Sequence, residues 1–331
     1  MEKEYDVFGI GNVLVDYVAE VDDCFLKSYN LNKGEMNQRS REEISEIEKS
    51  LKGIKKFSGG SAPNVLSGLA NLSMNCILAG TLGMDDDGTF FENDLKKEGV
   101  YNALKQKKGS TGIAMSLVTP DKERTFVVNY GVAADYTKKD LDIAKLAKSK
   151  YLHFTGYEFE SMKKMIKKAV KIAKKNDVKI SFDLACAGVV SRNKKDIMKL
   201  LKNADIVLAN EEEAKALTGK EGLDAASEIK KICNGTAVVK LGSKGAVAIK
   251  GIEKCFIPSY KVRVANTIGA GDGFAAGFFY GLLRDYDLPY CVTLGNFYAS
   301  KIVEVESARL HYKIGHIEWW ISLLGSHTGS M

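Results

Sequence analysis

The chain has 331 residues, is 45% hydrophobic and 27% charged, and carries a formal net charge of +6. These values are those of an ordinary folded protein with a core of normal size, and the length suits one large α/β domain with a smaller attached unit. The small, dispersed excess of positive charge disfavours a nucleic-acid-binding protein, which usually concentrates its basic residues in one stripe.

The N-terminal stretch and the cysteines indicate a reduced, cytoplasmic protein. The chain opens MEKEYDVFGIGN, which has neither a basic start nor the apolar core of a signal peptide. No stretch reaches the roughly 18 apolar residues of a membrane span, and the six cysteines form no C-x-x-C pair. We therefore expect no membrane partner and no nucleic-acid partner.

Apolar runs alternate with helical patterns along the chain. Runs without polar alternation predict strands buried on both faces at 6–10, 76–81, 151–154, 179–183, 205–209 and 237–241. Helical spacing predicts helices at 64–72, 90–97, 161–175, 194–201, 212–217, 225–233 and 272–283. The lysine-rich segment 161–175 is interpreted as a surface helix, with a membrane or nucleic-acid contact as the alternative. The alternation predicts an α/β fold with a mostly parallel central sheet covered by helices.

Two segments break this alternation. Residues 15–36 and 110–130 have the polar alternation of exposed strands, for example at 111–119 and 124–129, which a Pro120-Asp121 turn joins. We interpret them as one small β lid over the ligand end of a large domain formed by 1–14, 37–109 and 131–310. Residues 311–331 form an atypical tail with the chain's two tryptophans, and its end, 325–331, resembles a vector-derived addition.

Several common catalytic motifs are absent from the sequence. There is no G-x-x-x-x-G-K-[ST] phosphate loop, no H-E-x-x-H and no G-x-S-x-G. Gly9 and Gly11 begin a dinucleotide-binding fingerprint, but Leu14 stands where its third glycine belongs. A dinucleotide-dependent oxidoreductase is therefore a distant alternative, and a zinc held by the four histidines is disfavoured.

The most informative motif is N-T-I-G-A-G-D-G-F, which begins at Asn266 and precedes an apolar helix. Glycines at a helix N-terminus let backbone N–H groups converge on an anion, which the helix dipole also favours. Such a turn suits a phosphoryl group in transfer. Asp272 in the same turn would repel phosphate unless it accepts a proton from an attacking hydroxyl. The alternative is a glycine turn in which Asp272 only caps the helix.

A second glycine motif precedes the helix predicted at 64–72. Gly59 and Gly60 permit the backbone to approach a ligand closely, and Asn64 can both donate and accept hydrogen bonds. The alternative is structural, with Ser61 as the helix cap and Pro63 in the first turn.

Asp16 lies within an apolar run that follows the first predicted strand and Asn12. A buried carboxylate without a partner is costly, and vicinal hydroxyls of a ligand would satisfy it. A structural capping role elsewhere in the fold is the alternative.

Two further turns follow predicted strands. Residues 210–213 (Asn-Glu-Glu-Glu) place three acids at a helix start, where they either stabilise the helix dipole or position Mg²⁺ and water near phosphates. Residues 240–245 (Lys-Leu-Gly-Ser-Lys-Gly) either contact a nucleotide or form an ordinary hairpin.

In combination and in this order, the motifs resemble the PfkB family of carbohydrate kinases, which have the ribokinase-like fold. Gly59-Gly60 with Asn64, followed by G-M-D-D-D-G at 83–88, is similar to the N-terminal signature of that family. Residues 266–273 resemble its C-terminal signature, and 210–213 resemble its N-x-x-E motif. The openings 9–16 and 21–26, with 119–125, are most similar to the adenosine kinases of the family, which act in purine salvage.

The resemblance implies a role for each matching residue. Asp272 would be the catalytic base, with Gly269, Ala270 and Gly271 as the anion hole. The substrate-binding residues would be Asn12, Asp16, Gly59, Gly60, Asn64 and, on the lid with Met36, Arg124. The nucleotide-binding residues would be Asn210, Glu213, Lys240, Gly242, Gly245 and Asn296. Glu213 would hold Mg²⁺ through water, and the protein would be a monomer or homodimer.

Two positions depart from the family pattern. Asn266 stands where the signature has aspartate, and Ser307-Ala308 stands where the family has Gly-Ala near its C-terminal end. The first departure makes a monovalent-cation site doubtful, and the second alters the loop on the nucleotide side.

These features together predict an ATP-dependent kinase that phosphorylates a primary hydroxyl of a ribonucleoside, preferentially adenosine. A sugar kinase of the ribokinase or fructokinase type is the alternative within the family. A nucleoside kinase and a sugar kinase differ in the wall of the site that would face the nucleobase. There, Tyr157 or Phe159 either stacks on a purine or belongs to the core. A non-catalytic nucleoside-binding protein is a more distant alternative, which only Asn266 favours.

Overall fold

The computed structural model describes residues 2–325, so residues 326–331, most of the segment that resembles a vector-derived addition, lie outside the described range. The strands are β1 (Tyr5–Ile10), β2 (Leu14–Glu20), β3 (Met36–Gln38), β4 (Lys55–Gly59), β5 (Cys76–Ala79), β6 (Thr81–Gly83), β7 (Tyr101–Asn102), β8 (Lys105–Lys107), β9 (Gly112–Val118), β10 (Arg124–Asn129), β11 (Ser149–Thr155), β12 (Lys179–Asp183), β13 (Ile206–Asn210), β14 (Thr236–Lys240), β15 (Ala246–Lys250) and β16 (Glu253–Ile257). The helices are α1 (Asp23–Ser28), α2 (Arg41–Ser50), α3 (Ser61–Asn71), α4 (Asp86–Glu98), α5 (Ile143–Ala147), α6 (Gly156–Ser161), α7 (Lys163–Lys175), α8 (Ala187–Leu201), α9 (Glu211–Thr218), α10 (Gly222–Ile232), α11 (Ala270–Leu283), α12 (Leu288–Val303) and α13 (Ile317–Gly325).

The predicted central sheet is confirmed. A nine-stranded sheet has the order β16-β15-β14-β13-β12-β11-β1-β5-β7. It is parallel from β14 to β7, and an antiparallel meander adds β15 and β16. Its strands separate two clusters of buried apolar side chains, one on each face. Burial on both faces explains why these strands show apolar runs without alternation.

The carboxyl end of this sheet collects polar residues. Asn12 follows β1, while β12 ends at Asp183, β13 at Asn210 and β14 at Lys240. β1 pairs with β5 on one side and with β11 on the other, so successive strands are added to opposite sides of β1. The strand order of the sheet therefore reverses at β1. Ligands of open α/β sheets bind in the crevice outside the carboxyl ends at such a point.

The predicted strand 76–81 is divided in two. β5 stays in the central sheet, whereas β6 leaves it and pairs with β8. Gly80 lies between them, and a Cβ atom built there would clash with the carbonyl oxygen of Gly11. The close approach of two backbones therefore ends the strand at this point.

The two segments predicted to form a lid meet in a second sheet. Its order is β3-β10-β9-β2-β4, and β2 joins β9 in parallel although the two are distant in the sequence. β4 also belongs to this sheet, by antiparallel pairing with β2, whereas the sequence assigned it to the large domain. The short strand K-K-F-S-G has a mixed polar pattern that gave no indication of its partner. The division into a large domain and a lid stays a prediction.

Two carboxylates of one turn fasten the small sheet to α4. Asp85 caps α4 and accepts hydrogen bonds from the Thr111 N–H and hydroxyl at 2.7 and 2.6 Å, just before β9. Asp87 accepts a hydrogen bond of 2.8 Å from the buried Tyr17 hydroxyl on β2 and pairs with Lys56 of β4. Residues 83–88 thus act as a structural anchor of the small sheet.

The segment predicted as one helix at 161–175 forms parts of two. Met162 separates α6 from α7 because its backbone leaves helical geometry, with φ −126° and ψ 34°. α7 buries its apolar face and exposes its lysines, as the interpretation of a surface helix requires. The prediction at 194–201 was too short, since α8 begins at Ala187.

α3, α11 and α12 pack against each other through small residues. A Cβ atom at Gly68 of α3 would lie 2.6 Å from the Cβ of Ala276 in α11, and one at Gly277 would clash with the Leu294 carbonyl of α12. This close packing places the N-termini of α3 and α11 side by side.

The first part of the segment predicted to form an atypical tail packs against the rest of the chain. The side chains of Ile314 and Ile317 are buried in the core, because the segment packs back onto the α11–α12 layer. Trp319 and Trp320 are exposed by 58% and 44%. Among residues 2–325, no helix combines the length and apolar character needed to span a bilayer.

Candidate active site

α11 begins at a glycine turn that leaves its first N–H groups free of a side-chain cap. Gly269 is the N-cap residue with φ +76°, and no side chain caps the helix. A Cβ atom at Gly269 would lie 2.6 Å from the Cβ of Ala308, so glycine is required for both conformation and space. Asp272 does not cap the helix, so the alternative in which it only caps α11 is wrong.

The Asp272 carboxylate is held by two donors from α3. Ser61 Oγ donates to Asp272 Oδ1 at 2.7 Å, and Asn64 Nδ2 donates to Oδ2 at 2.9 Å. Ser61 therefore serves Asp272 rather than capping α3, whose N-cap is Gly60 without a side-chain cap. Two separate sequence motifs thus meet at one carboxylate.

Burial raises the pKa of Asp272 to about 6. The charge of Asp183 adds to the rise, whereas the hydrogen bonds from Ser61 and Asn64 and the charge of Lys240 oppose it. A carboxylate with this pKa is mostly ionised at neutral pH and is more basic than an exposed aspartate. These are the properties that a general base needs.

Asp16, on β2, lies against the Gly59-Gly60 turn that precedes α3. A Cβ atom at Gly59 would clash with the Asp16 carboxylate, so the predicted Gly59-Gly60 turn and Asp16 are in contact. Burial raises the pKa of Asp16 to about 7; the charge of Arg309 opposes the rise and that of Asp272 adds to it. None of the residues 2–325 donates a hydrogen bond to this carboxylate, which remains available to a ligand.

Asn12 lies at the end of β1 beside a buried carboxylate. Its N–H donates to Glu158 Oε1 at 2.9 Å, and its Oδ1 accepts from Ser161 Oγ at 3.3 Å. Asn12 Nδ2 is buried and has no acceptor among the described residues. Since buried donors are nearly always paired, this amide is a suitable donor to a ligand.

A cavity of about 460 Å³ lies on the other side of the α11 turn. Of the residues predicted to bind nucleotide, it is lined by Lys240, Gly242, Gly245 and Asn296. Ala270 and Gly271 of the predicted anion hole line it as well. The Asn296 amide group donates to the carbonyls of Ile257 and Pro258 at 3.0 and 3.1 Å, which fixes the cavity wall.

Lys240 joins the cavity to the catalytic turn. Its Nζ pairs with Asp183 at 2.7 Å and lies 3.3 Å from a Cβ atom built at Gly271. Burial alone would lower the pKa of Lys240, but the charges of Asp183 and Glu213 raise it above its ordinary value. Lys240 is therefore a charged group directed at the glycine turn, and Asp183, which the sequence analysis missed, holds it there.

Asn210 and Glu213 form a capping box at the start of α9. Asn210 Oδ1 accepts from the Glu213 N–H, and Glu213 Oε2 accepts from the Asn210 N–H, both at 2.8 Å. The structural alternative is thus realised for both residues. Burial raises the pKa of Glu213 to about 7, which the charge of Lys240 opposes. Among residues 2–325, no cluster of three or more potential ligands that could hold a metal ion is present.

Arg124, Met36 and Phe159 have other surroundings in the described structure. Arg124 donates to Ser116 Oγ at 3.2 Å within the small sheet, and Met36 is exposed on the edge strand β3. Phe159 packs against Phe182 in the core, so it does not form the expected wall for a base. Tyr157 is partly exposed, and Asp272 contributes to raising its pKa after burial and Cys186.

Arg309 is a further residue that the sequence analysis missed. Its Nε donates to Asn64 Oδ1 at 2.9 Å, so the Asn64 amide links it to Asp272. The only sequence signal was its place directly after the noted Ser307-Ala308 pair.

Asn266 connects the glycine turn to this same segment. Its Oδ1 accepts from the Ile268 N–H at 2.8 Å, and its Nδ2 donates to the Glu306 carbonyl oxygen at 2.6 Å. The amide thus ties the glycine turn to the segment at Glu306.

Comparisons with known proteins agree with this geometry. Residues 30–313 match the family described as pfkB family carbohydrate kinase. The adenosine kinase from Sinorhizobium meliloti superposes with a TM-score of 0.88 at 30% identity, covering 96% of this chain and 99% of that one. A probable sugar kinase from Rhizobium etli superposes at 0.89 and 28%, covering 98% and 99%. An uncharacterized sugar kinase from Archaeoglobus fulgidus is 30% identical over 73% of this chain and 96% of its own length.

Proposed function

From the premise that this chain belongs to the pfkB family of carbohydrate kinases, we propose that it transfers the γ-phosphoryl group of ATP to a primary hydroxyl of a ribonucleoside, preferentially adenosine. The ribokinase-like α/β fold and the kinase class are those of the family. The observation that carries the proposal is that Ser61 and Asn64 hold the Asp272 carboxylate beside a helix N-terminus without a side-chain cap.

Asp272 acts as the general base. Its carboxylate accepts the proton of the acceptor hydroxyl as the oxygen attacks the γ-phosphorus. The new O–P bond forms while the bond from the γ-phosphorus to the β,γ-bridging oxygen breaks and ADP leaves. General-base catalysis of this kind contributes about 10²–10⁴-fold in rate.

The turn at Gly269–Gly271 stabilises the transferring group. Charge on the non-bridging oxygens is met by the N–H groups at the start of α11 and by the Lys240 ammonium, which reaches the same turn. Asp183 holds Lys240 in this position. The adjoining cavity of about 460 Å³ accommodates the nucleotide.

Magnesium fits as a companion of ATP rather than as a resident ion. Mg²⁺ commonly keeps several waters and binds through phosphates and one or two carboxylates, and Glu213 and Asp183 would contact it through water. When bound, it supplies positive charge to the phosphate oxygens. Glu213 is buried, and its carboxylate is already used in the capping box, which suits contact through water better than direct ligation.

Asp16 supports an acceptor with vicinal hydroxyls. Its carboxylate has no donor from residues 2–325, and Asn12 Nδ2 is an unpaired buried donor in the same region. A ribose ring would supply hydroxyls to the first and an oxygen to the second. The similarity to an adenosine kinase at 30% identity supports a nucleoside as the carrier of that ribose.

A second candidate is a sugar kinase whose acceptor carries an anionic group. A cavity of about 450 Å³ is lined by four basic side chains and two acidic ones, of Lys52, Lys55, Lys122, Arg124, Glu20 and Glu306. It shares Phe57, Asn266 and Glu306 with the cavity beside Asp16. Lys55 is paired with Glu306, but Arg124 has only the Ser116 hydroxyl as a partner among the described residues. The similarity to sugar kinases supports this candidate as well.

A coupled ADP-release screen tests the proposal. The acceptors are adenosine, other ribonucleosides, free pentoses and hexoses, and their phosphates, with Asp272→Asn as the control for contaminating kinases. We expect the highest kcat/KM with adenosine. Higher kcat/KM with a phosphorylated sugar would select the second candidate, and no turnover with any acceptor would contradict the kinase assignment.

A further inference from the structure

Arg309 is a buried arginine in the segment that follows α12, with 4% of its surface exposed. Its Nη1 donates to both carboxylate oxygens of Glu98, at 3.1 and 2.9 Å. Its Nε donates to Asn64 Oδ1 at 2.9 Å, and its Nη2 donates to the Gly59 carbonyl oxygen at 3.2 Å. The guanidinium group therefore contacts Gly59, which precedes α3, and Asn64, which lies in the first turn of α3.

The Asn64 amide lies between Arg309 and Asp272, and its two ends are chemically different. Its oxygen accepts from Arg309, and its NH₂ group donates to the Asp272 carboxylate. If the amide turned over, its NH₂ would face the Arg309 N–H, and its oxygen would face a carboxylate oxygen. Both contacts would be repulsive, so Arg309 and the Asp272 carboxylate favour the same orientation of Asn64, and Arg309 anchors the oxygen end of the amide, which faces away from Asp272.

We propose that Arg309 is a positioning residue for phosphoryl transfer, which orients Asn64 so that its amide holds the Asp272 carboxylate in place. The inference rests on the proposed role of Asp272 as the base. Positioning of this kind matters because a displacement of about 1 Å at a reacting group can cost about 10²-fold in rate.

A purely structural role is the competing explanation. The ion pair of Arg309 with Glu98 also joins α4 to the C-terminal segment, and its loss would weaken the fold whether or not Arg309 acts on Asn64. Glu98 therefore supplies the matched control, because Glu98→Gln weakens the ion pair and leaves the guanidinium beside Asn64.

The main experiment compares Arg309→Lys with Glu98→Gln in the full chain. Lysine keeps the charge but cannot supply the Nε and Nη2 donors together. We expect Arg309→Lys to lower kcat about 10- to 100-fold with little change in the KM for ATP, and Glu98→Gln to lower Tm with less than about a threefold change in kcat. Equal losses of kcat in two variants of equal Tm would overturn the proposal.

A double-mutant cycle tests whether Arg309 acts through Asn64. In an Asn64→Ala background, the link to Asp272 is already absent, so Arg309→Lys should reduce kcat by less than about threefold more. A full additional loss of kcat in that background would contradict the proposal.

Titration of Asp272 by ¹³C NMR of labelled carboxyl groups gives a readout independent of turnover. Arg309→Lys should raise the pKa of Asp272 above the wild-type value, because the Asn64 hydrogen bond stabilises the ionised form. The charged and titratable groups that face Asp272 are Asp16 from β2, Tyr157 from α6, Asp183 from β12, Glu213 from α9 and Lys240 from β14. All of these are retained in the variant, so an unchanged pKa would refute the proposal.

Two further outcomes are covered by this design. If wild-type protein turned over no acceptor, the proposed function would fail while the NMR titration still tested the orientation of Asn64. If the Arg309 variant did not fold, Asn64→Asp would replace it, since it keeps an oxygen for Arg309 and loses the donor to Asp272. Unchanged kcat in Asn64→Asp would then overturn the proposal.

Discussion

Replacing Asp272 with asparagine should abolish turnover without loosening the fold. The new amide can turn its oxygen toward Asn64 Nδ2 and its NH₂ toward Ser61 Oγ, which is able to accept, so both contacts of 2.9 and 2.7 Å are retained. What is lost is the basic oxygen. We expect kcat to fall about 10²–10⁴-fold, which corresponds to about 3–5 kcal/mol of barrier.

The same Asp272→Asn substitution should increase the free energy of unfolding, although it lowers kcat. The pKa of Asp272 is raised from 3.8 to about 6, so the folded state binds the proton more tightly than the unfolded state. The wild type therefore loses stability as the pH rises from 3.8 to about 6, and the penalty is complete at pH 7. With allowance for partial solvent contact, removing the charge should stabilise the fold by about 1–2 kcal/mol.

The assays are coupled ADP release for kcat, calorimetry for ATP binding, and thermal unfolding at pH 7. We expect lost turnover, nearly unchanged ATP affinity, and a Tm equal to or above that of the wild type. Ser61→Ala is the matched control, because it removes one hydrogen bond to the carboxylate and leaves the base. An Asp272→Asn variant that retained more than about a tenth of the wild-type kcat would refute the assignment, since base removal costs at least about 10²-fold.

Three further predictions follow from the neighbouring residues. Since turnover needs ionised carboxylates and burial raises the pKa of Asp272 to about 6 and of Asp16 to about 7, kcat/KM should fall as the pH decreases through this interval. A flat pH–rate profile from about pH 5 to 8 would contradict both assignments. If Asp16 binds vicinal hydroxyls, 2′-deoxy- and 3′-deoxyadenosine should have a lower kcat/KM than adenosine in the wild type, and this discrimination should vanish in Asp16→Ala; equal kcat/KM for all three nucleosides in the wild type would exclude the role. Because the Asn266 amide supplies no charge and its NH₂ already donates to the Glu306 carbonyl, kcat/KM for ATP should depend little on K⁺ titrated at constant ionic strength, and Asn266→Asp should gain dependence; a saturable rise of about tenfold in the wild type would show that the cation site persists.

The sequence predicted the central sheet because its signal is local. Strands buried on both faces carry continuous apolar runs, and all six predicted strands lie in or begin in the nine-stranded sheet. The boundaries were less well predicted where a tertiary contact ends an element, as at Gly80, where the Gly11 backbone leaves no room for a side chain.

The small sheet shows a different limit. Alternation indicated β9 and β10, but β4 gave no indication that it pairs with β2. Edge strands of five residues carry too few positions for a pattern, so their partners depend on where the rest of the chain places them.

Within the candidate site, the sequence by itself determined the turn at Gly269–Gly271, its aspartate and the second glycine motif, because glycine and an acid at a helix start have direct physical consequences. It could not determine which partners these groups meet. Arg309 reaches Asn64 across 245 residues of sequence and Asp183 reaches Lys240 across 57, and no local pattern records such contacts. They exist because the fold brings the carboxyl ends of its strands, the N-termini of α3 and α11, and the C-terminal segment to one place. There, shared burial raises the pKa values of Asp16 and Asp272, and only the tertiary structure shows which groups oppose that rise.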